Sequence, residues 1–390
     1  MKSMFVGIGA AGNKALLAAV NMNVVEMKDC WFINSTSKDL DKDIPKENQI
    51  ILSPTNTGCG KERGIAKQYV LTAIQSGKLD FGKEIDQVDT VVIVSSMEGG
   101  TGSGSAPMIG KYCEQVLGKN VHLFGFTGFE DDVRGLQNTI EFFQELDDEF
   151  MVHTIQNASF LQKANGNHFR AEELANEEFA KQIEILIGKN LIDSSQNIDD
   201  TDIYKVANTA GYQIIERIDV NGVMDREMFN NYCKRMITQS KSIKSKNPGQ
   251  IRLGVILNLS EACEYGVDHS FDVLKKEYGN PFECFVQKQY DDGQEYIAFI
   301  SSGMKLPIDE VKEIYKRYEE RTSLVDKKED DFFTQIAGLK GNKEDSRFNI
   351  GLERKGSTTS KADFMKQFQS NVKPVTPQKT AAPKATAAKK

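Results

Sequence analysis

Glu98-Gly99-Gly100-Thr101-Gly102-Ser103-Gly104-Ser105 is the stretch of this chain best suited to chemistry. Its glycines let backbone N–H groups turn inward and approach a ligand closely. Thr101, Ser103 and Ser105 add hydroxyls. An apolar run, Val91 to Val94, precedes the loop, and a helical segment follows it from Ala106. A helix N-terminus carries about half a positive charge, so a loop in this position reads as a phosphate cradle. It lacks the Lys-Ser/Thr ending of a P-loop and is a different nucleotide device.

Two further glycine clusters lie upstream. Gly7-Ile8-Gly9-Ala10-Ala11-Gly12 follows a short apolar strand and opens an apolar helix from Asn13. Taken literally it is a dinucleotide fingerprint. That device needs an acid at the end of the second strand to hold the ribose. Here the strand Cys30–Ile33 runs into Asn34-Ser35-Thr36-Ser37, with no acid until Asp39, which argues against a nicotinamide enzyme. Gly58 and Gly60 form another turn, before Lys61-Glu62-Arg63. Far along the chain, Asn197-Ile198-Asp199-Asp200-Thr201-Asp202 is rich in acids. By residue type it is either a solvated loop with an N-cap at Asp202 or a set of carboxylates able to orient a water. Glu130 and Arg134 flank a polar turn that opens a helix, where acids are ordinary.

Alternating strands and helices position these groups. Strands are expected at 2–8, 30–33, 49–52, 88–96, 120–127 and 151–156, with helices after most of them and one from 133 through Phe150. The pattern predicts a doubly wound, mainly parallel sheet, whose strand C-termini gather every glycine-rich turn on one edge. A long helix is expected over 170–192, a loop over 191–202, and helices over 203–217 and 225–238. A second, smaller α/β unit follows, with strands at 251–257, 282–289 and 295–301, the last two joined as a hairpin at Asp291-Asp292-Gly293. The expected division is 1–169, 170–202 (central helix and acidic loop), 203–306, C-terminal helices over 307–340, and 341–390. Ile308, Val311, Ile314, Tyr315 and Tyr318 form a stripe for packing on the chain's own body, and Phe332, Phe333, Ile336 and Leu339 a candidate subunit contact.

The bulk numbers set limits on class. The 390 residues are 39% hydrophobic and 27% charged, with no apolar run long enough to span a membrane. Six scattered cysteines without a CxxC pair, and four histidines without ligand spacing, point to a reducing cytoplasm and away from disulfides or a metal centre. The net charge of -7 hides a split: residues 351–390 hold nine Lys/Arg against Glu353 and Asp363, leaving 1–350 at -14. The Lys/Thr/Ala/Pro-rich segment 341–390 is expected to stay disordered on its own.

The glycine loop resembles the signature loop of the tubulin/FtsZ superfamily, and other motifs of that family follow in the right order. Gly7–Asn13 looks like its first phosphate loop. Phe129-Glu130-Asp131-Asp132-Val133-Arg134 is similar to Phe-Glu-Gly-x-x-Arg, with Asp131 in place of glycine. Asn197–Asp202 is similar to the catalytic Asn-x-Asp-x-x-Asp. Within the superfamily, residues 32–40 and 58–63 look like TubZ, the plasmid- and phage-borne branch, as does the basic tail. The resemblance, over 1–310, implies the tubulin/FtsZ-like fold and GTP or GDP with Mg2+. The nucleotide contacts it implies are Gly9, Ala10, Ala11, Gly12, Asn13, Asn34, Gly58, Gly60, Gly99, Gly100, Thr101, Gly102, Ser103, Glu130 and Arg134. Asn157 and Asn176, with Phe169, fall where the base should lie. Asp199 and Asp202, with Asn197, would complete a neighbour's site in trans, coupling hydrolysis to a head-to-tail homopolymer. A TubR-like DNA-binding adaptor on a centromere, met through the tail, would make this a DNA-segregation filament with mostly indirect DNA contact and no membrane. A division or phage-positioning scaffold is the alternative within the family.

Overall fold

The computed structural model describes residues 2–129, 132–189, 191, 200–222, 224–246, 248–264, 270–290, 293–322 and 359–369. Ten described strands form one sheet in the order β3-β2-β1-β4-β5-β6-β7-β10-β8-β9. They are β1 (Ser3–Ile8), β2 (Cys30–Asn34), β3 (Gln49–Ile51), β4 (Thr90–Ser96), β5 (Asn120–Thr127), β6 (Met151–Gln156), β7 (Gly211–Asp219), β8 (Arg252–Asn258), β9 (Glu283–Gln289) and β10 (Tyr296–Met304). All pairings from β3 across to β7 are parallel. β10 runs antiparallel to both β7 and β8, and β9 is parallel to β8. The central strands are buried on both faces, which is why they read as continuous apolar runs rather than alternating ones.

Helices α1 (Gly9–Asn21), α2 (Arg63–Gln75), α3 (Thr101–Gln115), α4 (Val133–Gln144), α5 (His168–Leu186), α6 (Asp200–Ala207), α7 (Arg226–Thr238), α8 (Glu261–Glu264), α9 (Asp272–Tyr278) and α10 (Ile308–Thr322) cover the two faces. One core joins the sheet to Val70, Ile74, Ile109, Tyr112, Phe229 and Leu274 of α2, α3, α7 and α9. The other joins it to Leu16 of α1 and Phe179 and Ile183 of α5. β1 lies between β2 and β4, so the strand order reverses there and the loops after β1 and β4 open beside one another.

Several expectations change. Residues 211–217 are strand, not helix: α6 stops at Ala207, and Gly211, at φ +116°, starts β7. Tyr212 and Ile214 face one core and Ile215 the other, so β7 shows no alternation to betray it. α4 ends at Gln144 rather than Phe150, where Glu145 caps it with a bond to the Phe142 carbonyl. β9 and β10 are not a hairpin, because β8 lies between them; Asp291 and Asp292 themselves are outside the described residues. β6 and β7 share only the pairs Met151–Gly211 and Val152–Tyr212. Beyond those pairs the segment 241–243 fills the gap: Gln156 donates its N–H to the Lys241 carbonyl (2.8 Å), and the Ile243 N–H reaches Thr154 Oγ1 (2.9 Å).

The stripe on α10 packs on the chain's own body, with Ile314 and Tyr315 against Leu136 and Ile140 of α4. The proposed contact at 332–339 lies outside the described residues. Within the segment expected to be disordered, Lys361–Gln369 is a helix, α11. Phe364 and Met365 are buried, Phe364 edge-on to Tyr112 at 5.7 Å. Lys361 pairs with Asp80 at 3.0 Å, and the Thr359 N–H bonds the Gln115 carbonyl at 2.8 Å. Two adjacent apolar side chains supply burial that the average composition conceals.

Candidate nucleotide site

The site grows from two helix starts at the carboxyl edge of the sheet. Neither α1 nor α3 has a side-chain N-cap or an acid in its first turn. Their leading N–H groups therefore lack the usual internal partners. The two starts touch: a Cβ on Gly9, at φ +75°, would come within 3.0 Å of the Gly102 nitrogen. Ala10 and Ala11 are exposed beside this junction, while Gly12 is pressed against the Val94 carbonyl. Paired, uncapped helix N-termini can hold an anion through backbone donors alone.

The glycines divide by role. Gly99 has open space where a Cβ would point. A Cβ on Gly100 would meet Lys61 Cα at 2.7 Å, and one on Gly104 would meet the Arg63 carbonyl at 2.7 Å. Gly102 is wedged against the Ile8 and Ser96 carbonyls, each at 3.1 Å from such a Cβ. So Gly100 and Gly104 are required by the segment 58–63 lying across the glycine loop, whereas Gly99 faces open space. Gly58 and Gly60 are exposed in that loop, and Gly60 and Lys61 take consecutive positive φ values of 56° and 64°.

The polar groups build a frame around the helix starts. Asn13 donates to the Ile33 carbonyl at 3.1 Å and so fixes α1 to β2, while its Oδ1 is buried without a partner. Asn34 accepts the Ser35 N–H at 2.8 Å, and its buried Nδ2 has no partner. Ser35 Oγ lies 2.9 Å from Thr101 Oγ1, tying the end of β2 to the glycine loop. Ser103 Oγ donates to the Gly99 carbonyl. Arg134 pairs with Glu62 at 2.8 Å and Gln137 at 2.8 Å, leaving Nε buried and unpartnered. Asp132 caps α4 through the Arg134 and Gly135 N–H groups and pairs with Lys61. Burial works to raise the Asp132 carboxyl, but Lys61 and the two N–H donors outweigh it and hold it below its ordinary value.

Glu130 lies outside the described residues, as do Asn197 and Asp199. Asn157 opens the turn after β6 with its Oδ1 buried and unpartnered, and Asn176 is half-buried on α5. Among the described residues, no hydrogen bond ties either to the loops after β1 or β4. Phe169 is 79% exposed at the start of α5, beside His168, which stacks on Phe129 at 4.1 Å. Asp202 lies in the first turn of α6 and pairs with Lys205 at 3.2 Å. Tyr204, two residues on, accepts the Asn120 side-chain N–H at 2.7 Å, and Asn120 is the first residue of β5. The glycine loops stand at the other end of the strands, roughly 25 Å away at the usual rise per residue. Asp202 and the glycine loops of one molecule therefore occupy opposite ends of the sheet.

Sequence reasoning missed Glu98, whose Oε1 accepts the Gly128 N–H at 2.8 Å and so joins the ends of β4 and β5. It also missed Asn138, fully buried on α4, whose Nδ2 faces the Lys61, Glu98 and Gly99 carbonyls at 3.1, 2.9 and 3.3 Å. Asn138 sits between Gln137 and Thr139, so the sequence offered no local signal for it. Nothing local marked Glu98 beyond its place before the glycines.

Residues 2–165 match the Tubulin/FtsZ family, GTPase domain. The chain is 32% identical over 127 residues to the tubulin-like protein TubZ of Clostridium botulinum C phage, a match that covers 33% of this chain and only 34% of that protein. The structure superposes on the crystal structure of Clostridium botulinum phage c-st TubZ with a TM-score of 0.67 at 18% identity, covering 83% of this chain and all of the other. It superposes on the GTPγS-bound protofilament of CetZ2 from Haloferax volcanii with a TM-score of 0.68 at 15% identity, again over 83% of this chain and all of the other. The family match is confined to residues 2–165, and the likeness to solved structures shows that the sheet as a whole, including the part beyond those residues, has a tubulin-like fold.

Proposed function

We propose that this protein is a GTPase that assembles head to tail into filaments and hydrolyses GTP where two subunits meet. The observation that carries the reading is the separation of the two half-sites: uncapped helix starts at one end of the sheet and Asp202 at the other. A carboxylate can orient or deprotonate water only within hydrogen-bond reach. Head-to-tail stacking is the arrangement that brings opposite ends of identical subunits together. In it Asp202, with Asn197 and Asp199, would face the neighbour's phosphates. Gly9–Gly12 and Gly99–Ser103 would hold those phosphates through N–H groups, and Arg134 would exchange Glu62 for the nucleotide. The related CetZ2 protofilament with GTPγS supports both the ligand and the assembly.

Mg2+ fits as an ion that arrives with the nucleotide. The loops offer the Thr101 and Ser35 hydroxyls, and no group of three ionisable ligands occurs among the described residues. Mg2+ is commonly held by phosphate oxygens, water and one or two protein oxygens. When bound, it neutralises charge on the β- and γ-phosphates.

The finer reading is movement of plasmid or phage DNA through a TubR-like adaptor, with the basic segment after α11 as the docking element. Its support is the resemblance to the phage TubZ and the five lysines, with no acid, of 370–390. Light scattering should rise with GTP above a critical concentration. Asp202→Ala should assemble yet hydrolyse about a hundredfold more slowly; a normal rate in that variant would sink the assignment. Co-sedimentation with adaptor-loaded DNA should require residues 370–390. Tail-independent co-sedimentation would favour a division or positioning scaffold.

A further inference from the structure

Pro107 lies inside α3, in the turn after the glycine loop. Proline has no N–H, so the carbonyl four residues earlier loses its helical donor, and the ring crowds that carbonyl outward. That residue is Ser103, within the phosphate loop. The missing donor is supplied from another helix: Arg63, the first residue of α2, places Nη2 3.0 Å from the Ser103 carbonyl. Arg63 is 98% buried, and the same guanidinium reaches Glu141 at 3.2 Å and Glu145 at 2.6 Å, at the C-terminal end of α4. Lys67 shares Glu145. Gly104 lets the two helices close, since a Cβ there would meet the Arg63 carbonyl at 2.7 Å and Ala66 Cβ at 2.9 Å.

We propose that Arg63 is a positioning residue for nucleotide binding and hydrolysis, acting through the Ser103 carbonyl that Pro107 leaves without a donor. The inference rests on the GTPase reading above and deepens it. Arg63 touches no nucleotide; its effect is on the first turn of α3. With the Ser103 carbonyl held toward α2, the N–H groups of Thr101 to Ser103 stay directed into the cradle. The same guanidinium ties α2 to α4 through Glu141 and Glu145, a contact that serves stability rather than the direction of the loop's N–H groups. A planar, five-donor group suits this task, and an ammonium does not.

The pairing of Arg63 with Pro107 gives a test that separates positioning from plain stability. In the full-length protein, Arg63→Lys keeps a positive charge beside Glu141 and Glu145 but cannot serve all three acceptors. It should weaken binding of a fluorescent GTP analogue about tenfold, the scale of one charge-assisted hydrogen bond. Pro107→Ala restores an N–H opposite Ser103. Alone it should bind like wild type, and combined with Arg63→Lys it should recover affinity to within about threefold of wild type. Glu145→Gln, which breaks the ion pair and leaves the Ser103 bond, should lower the melting temperature while keeping affinity. Wild-type affinity in Arg63→Lys overturns the inference, as does a double variant no better than Arg63→Lys. Loss of affinity in Glu145→Gln equal to that of Arg63→Lys overturns it also, and that comparison holds even where the lysine variant folds poorly. A wild-type protein that binds no GTP overturns the GTPase reading and this inference together, whereas binding by wild type with an unaffected Arg63→Lys overturns the inference alone.

Discussion

At the scale of single residues, the glycines of the phosphate loop divide into two experimental classes. Gly99→Ala should leave the melting temperature near wild type, because nothing lies where its Cβ would go, yet weaken nucleotide binding by crowding the cradle. Gly104→Ala should cost stability instead, because backbone and Ala66 stand within 3.0 Å of the new methyl and cannot swing away. Thermal melts and nucleotide titrations on the two variants check the contrast; equal effects would contradict it. The glycine-rich character was legible in the sequence, but the division was not. Which glycine faces open space and which faces Lys61 or Arg63 depends on a loop some forty residues earlier in the chain. Asn13 teaches the same point: its bond to the Ile33 carbonyl, which fixes α1 to β2, could not be read from its type.

At the scale of elements, continuous apolar runs identified the buried parallel strands of the N-terminal half, and helical periodicity identified the stripe of α10. Ile314→Ala should destabilise by about 2–4 kcal/mol, since its side chain is enclosed with Leu136, Ile140 and Tyr315. Denaturant melts measure this. β7 was misread because residues buried on both faces carry no period-two signal, and its length also suits two turns of helix. The hairpin expectation failed for another reason. A short link such as 290–295 brings two strands near each other in sequence but does not oblige them to pair, and β8 claims both neighbours through Ile256 and Leu257. α11 had a local signature that composition hid: Ser360 Oγ accepts the Asp363 N–H at 3.2 Å, a cap four residues before an apolar pair. Phe364→Ala should release this helix, seen as faster proteolysis near 359–369 with GTP binding unchanged. Unchanged proteolysis would contradict the docking of Phe364 on Tyr112.

At the scale of the whole molecule, the two halves of the sheet meet at a narrow joint with a carboxyl group enclosed beside it. Burial, and next the Glu178 carboxylate, push Glu216 up to about 8, while Ser240 and Lys241 offset part of this. Its folded value lies above the ordinary 4.5, so the folded state holds the extra proton. Its contribution to stability is complete below pH 4.5 and is lost as the pH rises through about 8. Glu216→Gln should therefore flatten the pH dependence of the melting temperature over that window and be the more stable form at pH 8. An unchanged slope would contradict the assignment. Two of the four histidines are also enclosed in the sheet, where His122 and His153 hydrogen-bond to each other at 3.1 Å, and their isolated spacing gave no hint of it.

The central claim is that one subunit supplies the phosphate cradle and its neighbour supplies Asp202. Mixing two impaired proteins tests it directly. Asp202→Ala retains the cradle, and Gly99→Ala retains Asp202. Each alone should hydrolyse GTP poorly. In random head-to-tail copolymers of equal parts, about a quarter of the interfaces pair an intact cradle with an intact Asp202, so the mixture should recover roughly a quarter of the wild-type rate. A mixture no faster than the sum of its two components would contradict a site shared between subunits.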